Sequence, residues 1–248
     1  MQLKDKVAII TGAGAGIGRA TARLFAEQGT KILCNDISDS VINVVDEIKN
    51  NGGEATVYQG DISIAETAEK IINEAINKYY KIDILFNNAG IVIPGNAENT
   101  SIEDWDKTMR VNVRSVFLMS KFALPHLIKT RGCIVNNSSC LALKGSKDRL
   151  AYTASKGAIL SMTRALAMDY AKSGVRVNCI CPGVVDSPSF RQRISKFDDP
   201  EAARRHFTNM QPLGRIAEPR EVAEGILYLV TSEICEGTIL SADGGVTM

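Results

Sequence analysis

Residues 6–11 (KVAIIT) form a short, β-branched apolar run. It passes directly into a glycine-rich turn, GAGAGIG at 12–18, and then into the helix-forming stretch RATARLFAEQG. A buried strand feeding such a turn and a helix is the geometry that receives a pyrophosphate. Glycines let the backbone come close, and the helix N-terminus offers free N–H groups and the positive end of its dipole. The strict G-x-G-x-x-G spacing fails, because position 17 is Ile17. The pattern met is T-G-x-x-x-G-x-G, with Thr11, Gly12, Gly16 and Gly18. Glycines that serve only a tight turn are the plainer alternative. A second strand is expected at 31–36 (KILCND), ending in Asp36, twenty residues after Gly16. An acid there accepts hydrogen bonds from adenosine ribose hydroxyls and repels a 2′-phosphate, so NAD is expected in preference to NADP. A simple strand-end turn residue is the alternative. Arg19, early in the helix, is expected to face phosphate or solvent.

The alternation of strand and helix continues. A helix (VINVVDEIKNN) is stopped by Gly52 and Gly53. A third strand at 55–61 ends in Asp61, which either reaches an adenine edge or caps the next helix. The fourth, at 82–86, runs into Asn87, Asn88, Ala89 and Gly90: two amides to tie neighbouring strands, then small residues where backbone meets a ligand. One long helix is expected over 104–129, kinked or short of one bond at Pro125. Asn112 lies inside it between two valines, facing either solvent or the interior. A fifth strand at 132–137 ends in Ser138, Ser139 and Cys140, and a sixth at 175–181 ends in Pro182 and Gly183. Residues 184–215 are polar, break the alternation and read as a variable substrate-binding segment. A helix over 218–231 and a strand at 238–241 close the chain. Seven strands with intervening helices imply one α/β domain over 1–248, a doubly wound parallel sheet with helices on both faces. Ligands gather beyond the carboxyl ends of such strands, where Gly12, Asp36, Asp61, Asn88, Ser139 and Pro182 all fall.

Composition narrows the partners. A formal net charge of +1 with no basic block argues against nucleic acid or an anionic membrane surface. No apolar run reaches the ~18 residues of a membrane span, and no signal peptide precedes the first strand, so a cytosolic location is expected. The six cysteines form no C-x-x-C, and only His126 and His206 could join them, so no metal site is expected. Cys34, Cys133, Cys179 and Cys181 read as reduced core thiols, and Cys140 as a packing residue.

Tyr152 and Lys156 stand four apart at the head of a helical run, SKGAILSMTRALAMDYAKSG, which puts them on one face. A phenol ordinarily ionises near pH ~10. An ammonium beside it favours the phenolate, which makes the pair a plausible acid/base device. A surface tyrosine next to a solvated lysine is the bland alternative.

In order and spacing, TGAGAGIG (11–18), NNAG (87–90), Asn112, Ser139, Tyr152-x-x-x-Lys156 and Pro182-Gly183 resemble the short-chain dehydrogenase/reductase family over essentially the whole chain. Ser139 rather than Ser138 matches, thirteen residues before Tyr152. The resemblance implies a Rossmann-type fold and a nicotinamide cofactor, here NAD. It implies Tyr152 as general acid/base, Lys156 lowering its pKa and holding the nicotinamide ribose, Ser139 donating to the substrate oxygen and Asn112 anchoring a proton-relay water. It places the cofactor on Gly12, Gly16, Ile17, Gly18, Asp36, Asp61, Ile62, Asn88, Ala89, Gly90, Tyr152, Lys156, Pro182, Gly183, Val185 and Ser187. Ser187 stands where the family pattern has threonine. The resemblance also implies a homotetramer joined through the helices of Asn112 and Tyr152. Small residues on the latter (Ser155, Gly157, Ala158, Ser161, Ala165) allow close contact, though core packing explains them too. The segment before Gly237 is short for the family and leaves the C-terminal packing open.

The substrate is addressed by arginines. Arg149 stands three before Tyr152, and 184–215 adds Arg191, Arg193, Arg204 and Arg205. A guanidinium fork matches a carboxylate; solvated surface charge is the alternative. The stretch CPGVVDSPSFRQRI and the Arg149-x-x-Tyr152 spacing resemble a subgroup with cytosolic type 2 3-hydroxybutyrate and deoxy-sugar-acid dehydrogenases. Arg149 and Arg193 match carboxylate-holding arginines there; a third such position is Met210. A small hydroxy, keto or sugar acid is therefore expected. A polyol or cyclic-alcohol dehydrogenase would need no arginine clamp. A 3-ketoacyl reductase would favour NADPH, against Asp36. A non-catalytic NAD-sensing protein would have no use for a tuned phenol.

Overall fold

Strand β1 (Val7–Thr11) pairs in parallel with both β2 (Lys31–Asp36) and β4 (Ile84–Asn87), so the chain reverses its direction of travel across the sheet here. Beyond β2 lies β3 (Ala55–Gln59). Beyond β4 come β5 (Cys133–Asn137), β6 (Arg176–Pro182) and β7 (Ile239–Ala242), giving the order 3-2-1-4-5-6-7. The computed structural model describes residues 3–248. All six pairings are parallel, as the sequence led us to expect; strand ends differ from expectation by one or two residues.

The helices are α1 (Gly16–Glu27), α2 (Ser40–Asn50), α3 (Ala65–Tyr79), α4 (Ile102–Met109), α5 (Ser115–Thr130), α6 (Leu150–Tyr170), α7 (Pro188–Ile194), α8 (Pro200–Asn209) and α9 (Pro219–Thr231). Two apolar cores sandwich the sheet. Ala8 and Ile10 turn toward α1, α2 and α9, while Ile9 between them turns toward α3 and α5. Burial on both faces explains why β1, β4 and β5 read as unbroken apolar runs rather than alternating ones.

Two local expectations are corrected. The helix expected over 104–129 is interrupted by a π turn, Arg110–Arg114, between α4 and α5. The break falls at Asn112, while Pro125 sits inside the continuous helix α5, which lacks only the bond its missing N–H would have made. Asn112 is fully buried there, and its amide has polar partners inside the protein, described below. The segment 184–215 holds two helices that polarity alone concealed. Each has a proline in its first turn and a capping side chain: Ser187 accepts from the Phe190 N–H at 3.2 Å and Asp199 from the Ala202 N–H at 2.9 Å. Arg19 takes the solvent side of its expectation, half exposed and bonded to the Glu47 carboxylate on α2.

The C-terminal packing is regular despite the short lead-in. Arg176 donates to the carbonyls of Leu229, Val230, Ser232 and Cys235, satisfying the end of α9. All six cysteines are free and buried. Among the described residues no cluster could hold a metal ion, and no helix is long and apolar enough to cross a membrane.

Candidate active site

The carboxyl ends of β1 and β4 are laced together. Thr11 Oγ1 accepts from the N–H groups of Asn88 (2.9 Å) and Ala89 (3.2 Å), and Asn88 Nδ2 donates to the carbonyls of Thr11 and Gly12, each at 3.0 Å. This seam leaves no room for a Cβ at Gly12 or Gly18. A Cβ on Gly12, which also has φ +63°, would lie 2.9 Å from Ala89 Cα, and one on Gly18 would lie 2.1 Å from the Gly12 carbonyl oxygen. The missing third glycine is harmless, because Ile17 points into the cleft.

A cleft of about 570 Å³ runs along these ends, lined by Gly12, Gly16, Ile17, Asp36, Asp61, Ile62, Asn88, Ala89, Gly90 and Ser187. The glycines that a Cβ would fill, and the acid at the end of β2, fit an adenosine dinucleotide. Asp36 also holds the turn itself: its carboxylate accepts from the Gly14 N–H at 2.9 Å and the Ser38 N–H at 3.0 Å. Asp61 accepts from the Ser63 N–H and lies 3.6 Å from Arg110. Burial pushes its pKa up, but the bonds from Ser63 and the Arg110 charge outweigh this, and the net shift is downward.

The cleft opens into a second cavity of about 280 Å³, sharing Ile17, Asn88, Gly90, Ser187 and Ser189 with it. Here β5 delivers Ser139 and α6 delivers Tyr152 and Lys156, joined by Pro182, Gly183 and Val185 from the end of β6. Helix α6 begins five residues before Ser155, so Tyr152 sits in its first turn with Lys156 one turn on. The lysine ammonium donates to the Asn137 carbonyl at 2.7 Å and lies 5.7 Å from the centroid of the tyrosine ring. Burial lowers its pKa to about 8. The Tyr152 phenol is pushed up by burial and pulled back by the Ser139 hydroxyl and by Arg193 and Arg149. Burial outweighs these pulls, and the net shift of the phenol is upward. Spacing along a helix predicts proximity of two side chains but not which tip faces which.

Behind these residues Asn112 Oδ1 accepts from the Ile91 N–H at 2.8 Å, and its Nδ2 donates to the Ile91 carbonyl and to Ser155 Oγ, both at 3.0 Å. The site wall at Gly90 is thereby tied to the tyrosine helix.

The arginines separate into two groups. Arg191 and Arg204 both bond Asp186, whose carboxyl they hold down at about 2. Arg205 lies out near Asp199 at 3.9 Å. Arg149 and Arg193 line the cavity instead. Arg149 donates to the Asp148 carbonyl and Arg193 to Ser189 Oγ, and neither makes an ion pair among the described residues. Met210 lines the same cavity. Sequence reasoning missed Lys144, Asn137 and Val246, which reach this wall from a loop, a strand end and the C-terminus. Nothing in their local sequence marks them.

Fold and site thus set a cleft that fits a dinucleotide beside a cavity that brings Ser139, Tyr152 and Lys156 together. A family model described as enoyl-(acyl carrier protein) reductase matches residues 12–247. An uncharacterized oxidoreductase of Thermotoga maritima is 43% identical over 251 residues, covering 100% of this chain and 99% of that protein. The meso-2,3-butanediol dehydrogenase of Serratia marcescens is 38% identical, covering 100% and 96%. Among solved structures, the 3-ketoacyl-(acyl-carrier-protein) reductase of Brucella melitensis complexed with NADH superposes with a TM-score of 0.90 at 32% identity, covering 99% of this chain and 100% of that one. The chain belongs to the short-chain dehydrogenase/reductase family, oxidoreductases that act on alcohol and ketone groups with a nicotinamide cofactor.

Proposed function

We propose that this protein interconverts the secondary alcohol and ketone of a small hydroxy or keto acid, or a sugar acid, using NAD. The observation that carries the acid is the pair Arg149 and Arg193 on the wall that also holds Ser139 and Tyr152, neither in an ion pair among the described residues. Arg193 lies deep enough that burial, together with Arg149 nearby, disfavours its charge. A substrate carboxylate would relieve that cost and orient the hydroxyl toward Tyr152. Asp36 at the ribose end supports NAD over NADP.

In the oxidative direction Tyr152 takes the hydroxyl proton while Ser139 holds the same oxygen; in reduction Tyr152 returns the proton to the carbonyl oxygen. The bound nicotinamide supplies the hydride acceptor or donor. Lys156, resting on the Asn137 carbonyl, is placed to hold the nicotinamide ribose, and Asn112 keeps the Gly90 wall in register with the tyrosine helix. A homotetramer packed through α5 and α6 and a cytosolic location complete the proposal. Exposed Phe117 and Met168 on those helices support the former.

The test is a NAD- and NADP-linked screen of hydroxy acids, sugar acids and neutral diols, repeated with Arg149→Met and Arg193→Met. A hydrogen bond to a charged group contributes about 1.5–3 kcal/mol, so KM for acids should rise about ten- to hundredfold in each variant. KM for meso-2,3-butanediol should not move. Unchanged KM for acids in both variants, or turnover of neutral diols alone, overturns the acid reading.

A further inference from the structure

Five residues from the C-terminus, Asp243 folds the end of the chain back on itself. Its buried carboxylate accepts from the Gly245 N–H at 3.0 Å, the Thr247 N–H at 3.1 Å and the Thr247 hydroxyl. Gly244 and Gly245 adopt φ of +64° and +90°, which the turn requires. The result places Val246 on the wall of the catalytic cavity. The turn is gripped from two sides. Lys144, in the loop after Ser139, donates its ammonium to the Val246 carbonyl at 3.2 Å. From the segment 184–215 the Leu213 N–H donates to the Gly244 carbonyl at 3.0 Å, and Pro212 packs so close that a Cβ on Gly245 would lie 3.2 Å from its Cβ.

These two gripping segments are the ones that supply the substrate arginines: Arg149 follows Lys144 in its loop, and Arg193 belongs to the segment of Leu213. We propose that the C-terminal turn, Asp243 through Val246, is a specificity-determining part of the substrate site. It supplies Val246 as a steric wall and, through Lys144, fixes the spacing between the two arginine-bearing walls. The cavity it borders is about 280 Å³ and also carries Ser139, Tyr152 and both arginines. The inference rests on this cavity being the substrate site, as proposed above.

Cys140 offers a reporter that needs no substrate, because among the described residues it is the one cysteine on this cavity wall. The experiment measures Cys140 alkylation by iodoacetamide and by the bulkier N-(1-pyrenyl)maleimide, located by peptide mass spectrometry, with Cys140→Ser as background. Wild type is compared with Lys144→Met and with the mild Val246→Ala. The expected result is a rise of about tenfold in the bulky-to-small rate ratio for both variants, with NADH affinity held within about twofold. A companion assay with straight-chain 3-hydroxy acids of increasing length should show Val246→Ala favouring longer chains. A rate ratio within about twofold of wild type in both variants overturns the proposal. If no acid is turned over but the ratio rises, the acid reading fails while the wall stands.

Discussion

Replacing Asn112 with alanine removes three hydrogen bonds at once: from the Ile91 N–H, to the Ile91 carbonyl and to Ser155 Oγ. Asn112 is completely buried, so the loss is not made good by water at that position. Ile91 is half-buried, and its backbone groups recover part of their solvation. Ser155 keeps its bond to the Tyr152 carbonyl at 2.7 Å. At about 1 kcal/mol net for each bond, the loss comes to about 3 kcal/mol. For a chain of this size that lowers Tm by roughly 6–12 °C. The functional loss should be larger than stability alone predicts, because Gly90 is freed as well. A Cβ on Gly90 would lie 3.2 Å from Asn112 Oδ1 and 3.5 Å from Lys156 Nζ. The assay is thermal unfolding followed at two wavelengths, with NADH titration and kcat measured well below Tm. Ser155→Ala, which leaves Asn112 bonded to Ile91, serves as the smaller perturbation. A Tm for Asn112→Ala within about 2 °C of wild type would refute the reasoning. It would mean that helix packing, not the amide, holds the π turn.

Gly18→Ala should abolish NADH binding by fluorescence titration, since its Cβ would overlap the Gly12 carbonyl. Within one chain a Cβ on Gly157 meets nothing within 4 Å, so in a tetramer packed through α6 Gly157→Ala should weaken assembly as read by sedimentation; a gain of about 0.5–1 kcal/mol with assembly intact would count against that packing. The Asp186 carboxyl is lowered from the ordinary 3.8 to about 2 by Arg191 and Arg204, so its contribution is complete above pH 3.8 and lost as pH falls toward 2. Acid titration of Asp186→Asn should lack that component; an unchanged acid limb counts against it. Lys156, lowered by burial from 10.5 to about 8, gives the same sign in a higher pH window. Between those values the unfolded chain holds a proton that the folded chain lacks, so stability rises with pH in this window by on the order of 3 kcal/mol in full. Denaturant midpoints of Lys156→Met should lose this rise relative to wild type, and parallel pH profiles would contradict the burial argument.

The sequence alone determined what depends on neighbours along the chain. Strands buried on both faces, helices between them and glycines at 12, 16 and 18 were enough for the parallel sheet and its ligand edge, because backbone conformation and apolar periodicity are local properties. The four-residue spacing of Tyr152 and Lys156 placed both on one helix. Tertiary structure alone decided the rest. It sent Arg191 and Arg204 to Asp186 and left Arg149 and Arg193, the two that the family resemblance had singled out, facing the cavity. It set the Lys156 ammonium on the Asn137 carbonyl, put the helix break at Asn112, and brought Val246 beside Lys144, 102 positions away. Such choices follow from competition among partners distant in the chain for the same few polar atoms, and only the packed molecule resolves it.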